Sequence, residues 1–190
     1  MAFHLNEYTI RRKVLKIFGA SFHVYDPSGR VVAFSNQKAF KLKEDIRVFT
    51  DESRSTELMS VRARQIVDFS AAYDMVDSRE NKKIGAARRK GWSSMVRDSW
   101  EILDADDRHI ASLQEDSTAM ALLRRLLSNL IPQKFHLTSL DERKMAFMHV
   151  HFNPFVYRMT VSVSDTSIDP RIVFGTAVLL AAIEGRQTGA

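Results

Sequence analysis

Ile172-Val173-Phe174-Gly175-Thr176-Ala177-Val178-Leu179-Leu180-Ala181-Ala182-Ile183 is a run of twelve residues without a charge. Asp169 before it is a suitable N-cap, Pro170 suits the first helical position, and Gly185 suits a C-terminal stop. A helix is therefore expected over 170–184, and its body is apolar on every side. Such a helix must be surrounded, by protein or by lipid. At 1.5 Å per residue the run spans about 20 Å, short of the roughly 30 Å hydrocarbon core of a bilayer. Length thus favours burial in protein, and the rest of the chain must supply the wall.

Upstream, the sequence reads as short strands. Tyr157, Met159, Val161 and Val163 alternate with Arg158, Thr160, Ser162 and Ser164. Met59, Val61 and Ala63 alternate with Ser60, Arg62 and Arg64. Phe22 and Val24 precede the turn Asp26-Pro27-Ser28-Gly29, and Val31, Val32 and Phe34 follow it. Period-2 alternation puts one face in a core and the other in water. Acidic turns recur at Asp26, Asp51, Asp77 and Asp104, separated by 25, 26 and 27 positions. Each interval is expected to hold two strands with a tight connection at each end, giving a meander of hairpins.

One further segment breaks the β pattern. Over about 117–130, Met120, Leu123 and Leu127 join Leu122, Leu126 and Leu130 at i, i+4 spacings, while Arg124 and Arg125 face away. Asp116 or Ser117 can cap it and Pro132 lies just beyond, so an amphipathic helix is expected there. Some ten to twelve strands with one wholly apolar helix combine into one architecture. A closed antiparallel barrel has an apolar interior and no unpaired edge. At about twelve strands it is too wide for side chains alone to fill, and the C-terminal helix would occupy its centre.

Composition bounds the rest. The chain has 190 residues, 28 Lys+Arg against 23 Asp+Glu, a net charge of +5 and 45% apolar residues. That fits one globular domain over 1–190 with a core of about 8–187. There is no cysteine, which excludes disulfides, thiolate metal sites and cysteine nucleophiles. The first seventeen residues are broken by Arg11, Arg12, Lys13 and Lys16, so no signal peptide is read there. A cytoplasmic location, with peripheral contact at a membrane, is expected.

Chemistry-bearing motifs are sparse. No Gly-x-Ser-x-Gly elbow, phosphate-cradling glycine loop or His-Glu-x-x-His occurs. No catalytic residue, no cofactor and no metal site is assigned, and the chain is expected not to be an enzyme. His149-Val150-His151 would place two imidazoles on one strand face but needs a third ligand. Asp104 to Asp107 reads as a hairpin turn and Asp165 to Asp169 as a helix cap rather than as calcium loops.

The basic clusters are the better candidates: Arg11-Arg12-Lys13, Arg62 with Arg64, and Arg88-Arg89-Lys90. Residues at i and i+2 share a strand face, so Arg62 pairs with Arg64 and Arg88 with Lys90. Guanidinium forks suit phosphate. Arg62, Arg64, Arg88, Arg89 and Lys90 are therefore the expected contacts for anionic lipid headgroups or a membrane surface. The competing reading is a solvated exterior whose charges neighbouring carboxylates offset. Nucleic acid ranks lower, because aromatics interleaved with the charges are not evident.

Particular stretches resemble the LURP-one-related family, which groups with tubby C-terminal domains and phospholipid scramblases. They are Phe34-Ser-Asn-Gln-Lys-Ala-Phe-Lys-Leu-Lys-Glu-Asp-Ile46, Val67-Asp-Phe-Ser-Ala-Ala-Tyr-Asp74, Arg88-Arg-Lys-Gly91 leading to Arg97-Asp-Ser-Trp-Glu101, Gln114-Glu-Asp-Ser117, Asn153-Pro-Phe155 and Ala181-Ala-Ile-Glu-Gly-Arg-Gln187. The resemblance implies a twelve-stranded barrel around a hydrophobic C-terminal helix. From the tubby-like members it implies headgroup binding by basic wall residues. The cysteine-rich stretch and Pro-rich N-terminus of scramblases are missing here. The expected function is a non-enzymatic binding module for anionic phospholipid or phosphorylated headgroups. The alternative is a protein-interaction scaffold with an unknown partner and no lipid affinity.

Overall fold

The computed structural model describes residues 2–12, 20–37, 45–64, 71–90, 99–116, 132–151 and 156–187. The expected amphipathic helix over 117–130 lies outside the described residues, as do Lys13 and parts of the quoted motif stretches. Twelve strands follow in order: β1 (Glu7–Arg12), β2 (Ala20–Tyr25), β3 (Val31–Gln37), β4 (Asp45–Phe49), β5 (Glu57–Ala63), β6 (Ala72–Asp77), β7 (Lys82–Arg89), β8 (Ser99–Asp104), β9 (His109–Glu115), β10 (Gln133–Ser139), β11 (Lys144–Val150) and β12 (Arg158–Val163). The helix α1 (Pro170–Gln187) closes the chain. Each strand pairs antiparallel with its sequence neighbours, and β1 pairs with β12 to close the barrel. The mainly β, twelve-stranded architecture around a central helix is as expected.

Alternation sends one residue set inward. Ile10, Val24, Val61, Met75, Ala87, Ile102, Leu113, Leu137, Met148 and Val161 are buried against α1. Along the helix, Ile172 to Ala182 are buried without a break, which explains why its apolar residues have no preferred side. Phe174 meets Phe3 edge-on at 5.1 Å and Tyr8 at 5.4 Å. Gly85 on β7 lets the first helical turn approach: a Cβ there would lie 2.6 Å from the Leu103 carbonyl oxygen and 2.8 Å from Ile172 Cδ1. Among the described residues no helix is long and apolar enough to cross a membrane.

The N-terminal cap forms as expected, with the Arg171 amide donating to Asp169 Oδ1 at 2.9 Å. The C-terminal stop does not. The helix continues through Gly185 to Gln187, since glycine inside a helix costs only about 1 kcal/mol and stops it only when it turns left-handed.

The acidic turns share one end of the barrel. Asp26 Oδ1 accepts from the Ser28 and Arg30 amides, Asp77 Oδ1 from those of Arg79 and Glu80, and Asp104 Oδ1 from those of Asp106 and Arg108. Each of the five hairpin turns there holds one left-handed residue: Gly29 (φ 82°), Arg54 (59°), Asn81 (49°), Asp107 (65°) and Glu142 (64°). The connections at the other end are not tight, contrary to expectation. Between strand bounds they run from seven residues (38–44) to seventeen (116–132). Strands of only five to eight residues leave the remainder of each interval for these longer connections.

Candidate functional site

β5 and β7 both finish at the long-connection end, with β6 starting between them. The Arg64 amide donates to the Ala72 carbonyl at 2.8 Å and the Arg89 amide to the Ala71 carbonyl at 3.0 Å. The two basic clusters therefore stand two strand spacings apart, roughly 10 Å. Alternation aims Arg62 and Arg64 outward, between inward Val61 and Ala63, and it aims Arg88 and Lys90 outward past buried Ala87.

Arg89 takes the other face. Its guanidinium carbon lies 5.8 Å from the Trp100 ring centroid, and that ring packs 5.9 Å from Tyr73 at the barrel mouth. The five expected contacts thus divide into four on the outer wall and one at the inner rim, because adjacent strand residues cannot share a face.

Carboxylates hold the outer cations in place. Arg64 donates to Asp74 Oδ1 from Nε at 2.9 Å and Nη2 at 2.6 Å, and it also reaches Asp107. Lys83 Nζ joins them, 2.7 Å from Asp107 Oδ1 and 3.6 Å from Asp74 Oδ1. Arg88 donates to Glu101 Oε2 from Nε at 2.9 Å and Nη2 at 2.6 Å, and Lys90 Nζ is 3.8 Å from Oε1. Arg62 lies opposite Asp74 on β6 and Asp45 on β4, while Asp45 is itself held by Arg47 at 3.3 Å.

The ionised forms are reinforced. Hydrogen bonds from Arg64 and then Lys83 hold Asp107 below the usual carboxylate range. Burial works to raise Glu101, but Arg88 overcomes it and Glu101 is also lowered. Among the described residues, Arg62, Arg64, Lys83, Arg88 and Lys90 form a charge lattice on this wall with Asp74, Glu101 and Asp107. Lys83 escaped the sequence reading because it stands apart from any basic run.

The other basic stretch leads to a separate face. Arg11 points outward and pairs across the closing seam with Arg158. His149 and His151 lie nearby on β11, their rings 4.4 Å apart. Among the described residues no three His, Cys, Asp or Glu side chains are grouped to hold a metal.

At the turn end lies a cavity of about 600 Å³, floored by Ile84, Met145 and Ile172 and bordered by Asp104, Asp141 and Asp169. Each of these carboxylates already accepts hydrogen bonds from its own turn or cap.

A family model described as LURP-one-related matches residues 31–181, from the start of β3 into the central helix. No curated protein and no solved structure matches the chain at a significant level.

Proposed function

This chain belongs to the LURP-one-related family, and we propose that it is a non-enzymatic binding module, cytoplasmic, that docks reversibly on anionic phospholipid headgroups through the outer wall of β5 to β8. The gathering of Arg62, Arg64, Lys83, Arg88 and Lys90 on one outer wall is the observation that supports this. Arg88 and Lys90 both reach the carboxylate of Glu101, so both side chains are held at the surface. Arg88 keeps 46% of its side chain exposed. A phosphate group approaching this wall meets donors already oriented, at little entropic cost. Each basic residue near an anionic membrane contributes about 1 kcal/mol.

The connection from β3 to β4 joins strands at this same barrel end. In sequence it carries Lys38, Lys41 and Lys43 around Phe40 and Leu42; these residues lie outside the described part of the chain. A mix of basic and apolar residues suits a lipid surface better than a soluble anion.

The test is co-sedimentation with phosphatidylcholine vesicles containing graded phosphatidylserine, at low and at physiological salt. Binding should rise with phosphatidylserine and fall with salt. Replacing Arg88 and Lys90 together by Gln should weaken it about ten- to thirty-fold, at about 1 kcal/mol for each charge lost. Equal recovery with neutral and anionic vesicles at low salt overturns the proposal.

One observation favours a second reading, a protein-interaction scaffold. Leu140 is 61% exposed at the β10–β11 turn, beside the cavity. A scaffold predicts a partner captured equally with and without lipid, and lost in Leu140→Ser.

A further inference from the structure

Two arginines face each other across the seam that closes the barrel. Arg11 on β1 and Arg158 on β12 are direct cross-strand partners, and both are exposed. Like charges directly opposite one another destabilise a sheet. Among the described residues neither guanidinium has a hydrogen-bond or ion-pair partner. On the β5 to β8 wall, by contrast, Arg64, Lys83, Arg88 and Lys90 each touch a carboxylate.

The surroundings extend the same character. The His151 amide donates to the Arg158 carbonyl at 2.9 Å, so His151 continues the row on one side. His23 continues it on the other, opposite Arg11. In the next row Lys134 faces His149, His149 faces Thr160, and Thr160 faces Thr9. His151 Nε2 and Thr160 Oγ1 are 2.7 Å apart. Among the described residues, His23, Arg11, Arg158 and His151 form a row without a carboxylate, while the second row ends at Asp116, whose amide donates to the Lys134 carbonyl at 2.9 Å. Glu52 and Asp116 stand at the flanks, bonded to His23 at 2.7 Å and to His136 at 2.6 Å. Glu7, on the same face of β1 and opposite Ser162, lies in the row next to Thr9 and Thr160, two rows from Arg11.

We propose that this face of β1, β12, β11 and β10 binds a phosphate monoester group, with Arg11 and Arg158 as the principal donors and Lys134 and Thr160 beside them. The group is carried either on a lipid headgroup or on a small soluble ester. A terminal phosphate offers three acceptor oxygens, enough for two guanidinium forks and a third donor. Its double negative charge offsets the repulsion that the seam otherwise carries. The site is independent of the β5 to β8 wall.

The experiment titrates inorganic phosphate into the full isotope-labelled chain, following backbone amides and the ring protons of His149 and His151 by NMR. Saturable shifts should centre on β1, β11 and β12. Replacing Arg11 and Arg158 together by Gln should weaken them at least tenfold, and Lys at both positions should weaken them less. Arg88→Gln with Lys90→Gln should leave them unchanged, which separates this site from the wall. Because the double Gln variant relieves repulsion, its melting temperature should not fall.

A second arm compares vesicles carrying phosphatidic acid, a monoester, with vesicles carrying phosphatidylserine, a diester. A preference for phosphatidic acid that the Arg11/Arg158 Gln variant loses identifies a lipid source. Phosphate shifts without that preference identify a soluble ester. Absence of saturable shifts with phosphate, or shifts or a phosphatidic acid preference that the double variant retains, overturns the proposal.

Discussion

Arg171, in the first turn of the central helix, donates from Nη1 to Asp77 Oδ2 at the end of β6, at 2.8 Å and 94 residues away in sequence. The same guanidinium grips Asp169, the helix N-cap, through Nε at 3.1 Å and Nη2 at 2.6 Å. Asp77 also organises the β6–β7 turn through the Arg79 and Glu80 amides. One ion-pair cluster therefore joins the helix entrance, a strand end and a turn, and it orients the helix as it enters the barrel.

Asp77 is nearly buried, which works to raise its pKa, yet the Arg171 bond and the two amides overcome this and lower it. A carboxyl with a depressed folded value adds stability above its unfolded value of about 3.9, and that stability is lost as pH falls through the folded value. Asp77→Asn should cost about 1–3 kcal/mol at pH 7. Urea unfolding should show the gap to wild type narrowing below about pH 4. A gap that stays constant down to pH 2 would show that charge plays no part.

The two interior glycines should respond differently to alanine. At Gly85 the new Cβ meets the Leu103 backbone oxygen at 2.6 Å, which cannot swing aside. At Gly175 it meets the Met59 Cε and Met75 Sδ atoms at 2.8 Å, both parts of flexible side chains. Gly85→Ala should destabilise by about 1–3 kcal/mol. Gly175→Ala should be near neutral, since helix propensity returns about 1 kcal/mol. Equal losses in denaturant melts would contradict this packing.

Leu179 lies in the buried centre of the helix, 2% exposed. Leu179→Asp should place an unpaired charge there and cost several kcal/mol, leaving little folded protein by circular dichroism. A soluble variant with an unchanged melting temperature would show that α1 is not the core.

Glu142 holds the left-handed position of the β10–β11 turn at φ 64°. Glycine adopts that conformation without the Cβ penalty. Glu142→Gly should therefore raise stability by roughly 0.5–1 kcal/mol. A fall in melting temperature would mean that the Glu142 side chain contributes something the turn geometry does not require.

His149 is pushed below its ordinary value by burial and by Lys134. His151 is pushed below by burial, then by His149 and Arg158. Both should titrate by NMR with midpoints below 6.5, the usual value for histidine. The fold favours their neutral forms, so stability should decline as pH falls from 6.5 toward the folded midpoints. Lys134→Gln should raise the His149 midpoint and Arg158→Gln that of His151.

Much of the architecture was legible because its signals are local. Tyr157 to Ser164 shows its inward and outward faces without any neighbour, and Asp26-Pro27-Ser28-Gly29 builds its turn from its own side chains. The same rule separated Arg88 and Lys90 from Arg89, although grouping the three by composition obscured it. Gly185 does not end α1, which runs to Gln187, because a glycine stops a helix only where the following chain turns away.

The partners of each charge were less legible. Glu101 collects Arg88 and Lys90 from the adjacent strand through register alone, and Lys83 joins Asp107 across a turn. Arg11 and Arg158 meet only because β1 and β12 close the ring.

The amino-acid order thus determined the faces of the strands, the acidic turns and a helix with no polar side, since each depends on neighbours within a few positions along the chain. Only the tertiary structure decided which charges neutralise one another and which stand opposed, because cross-strand register and barrel closure bring together residues that no local pattern connects.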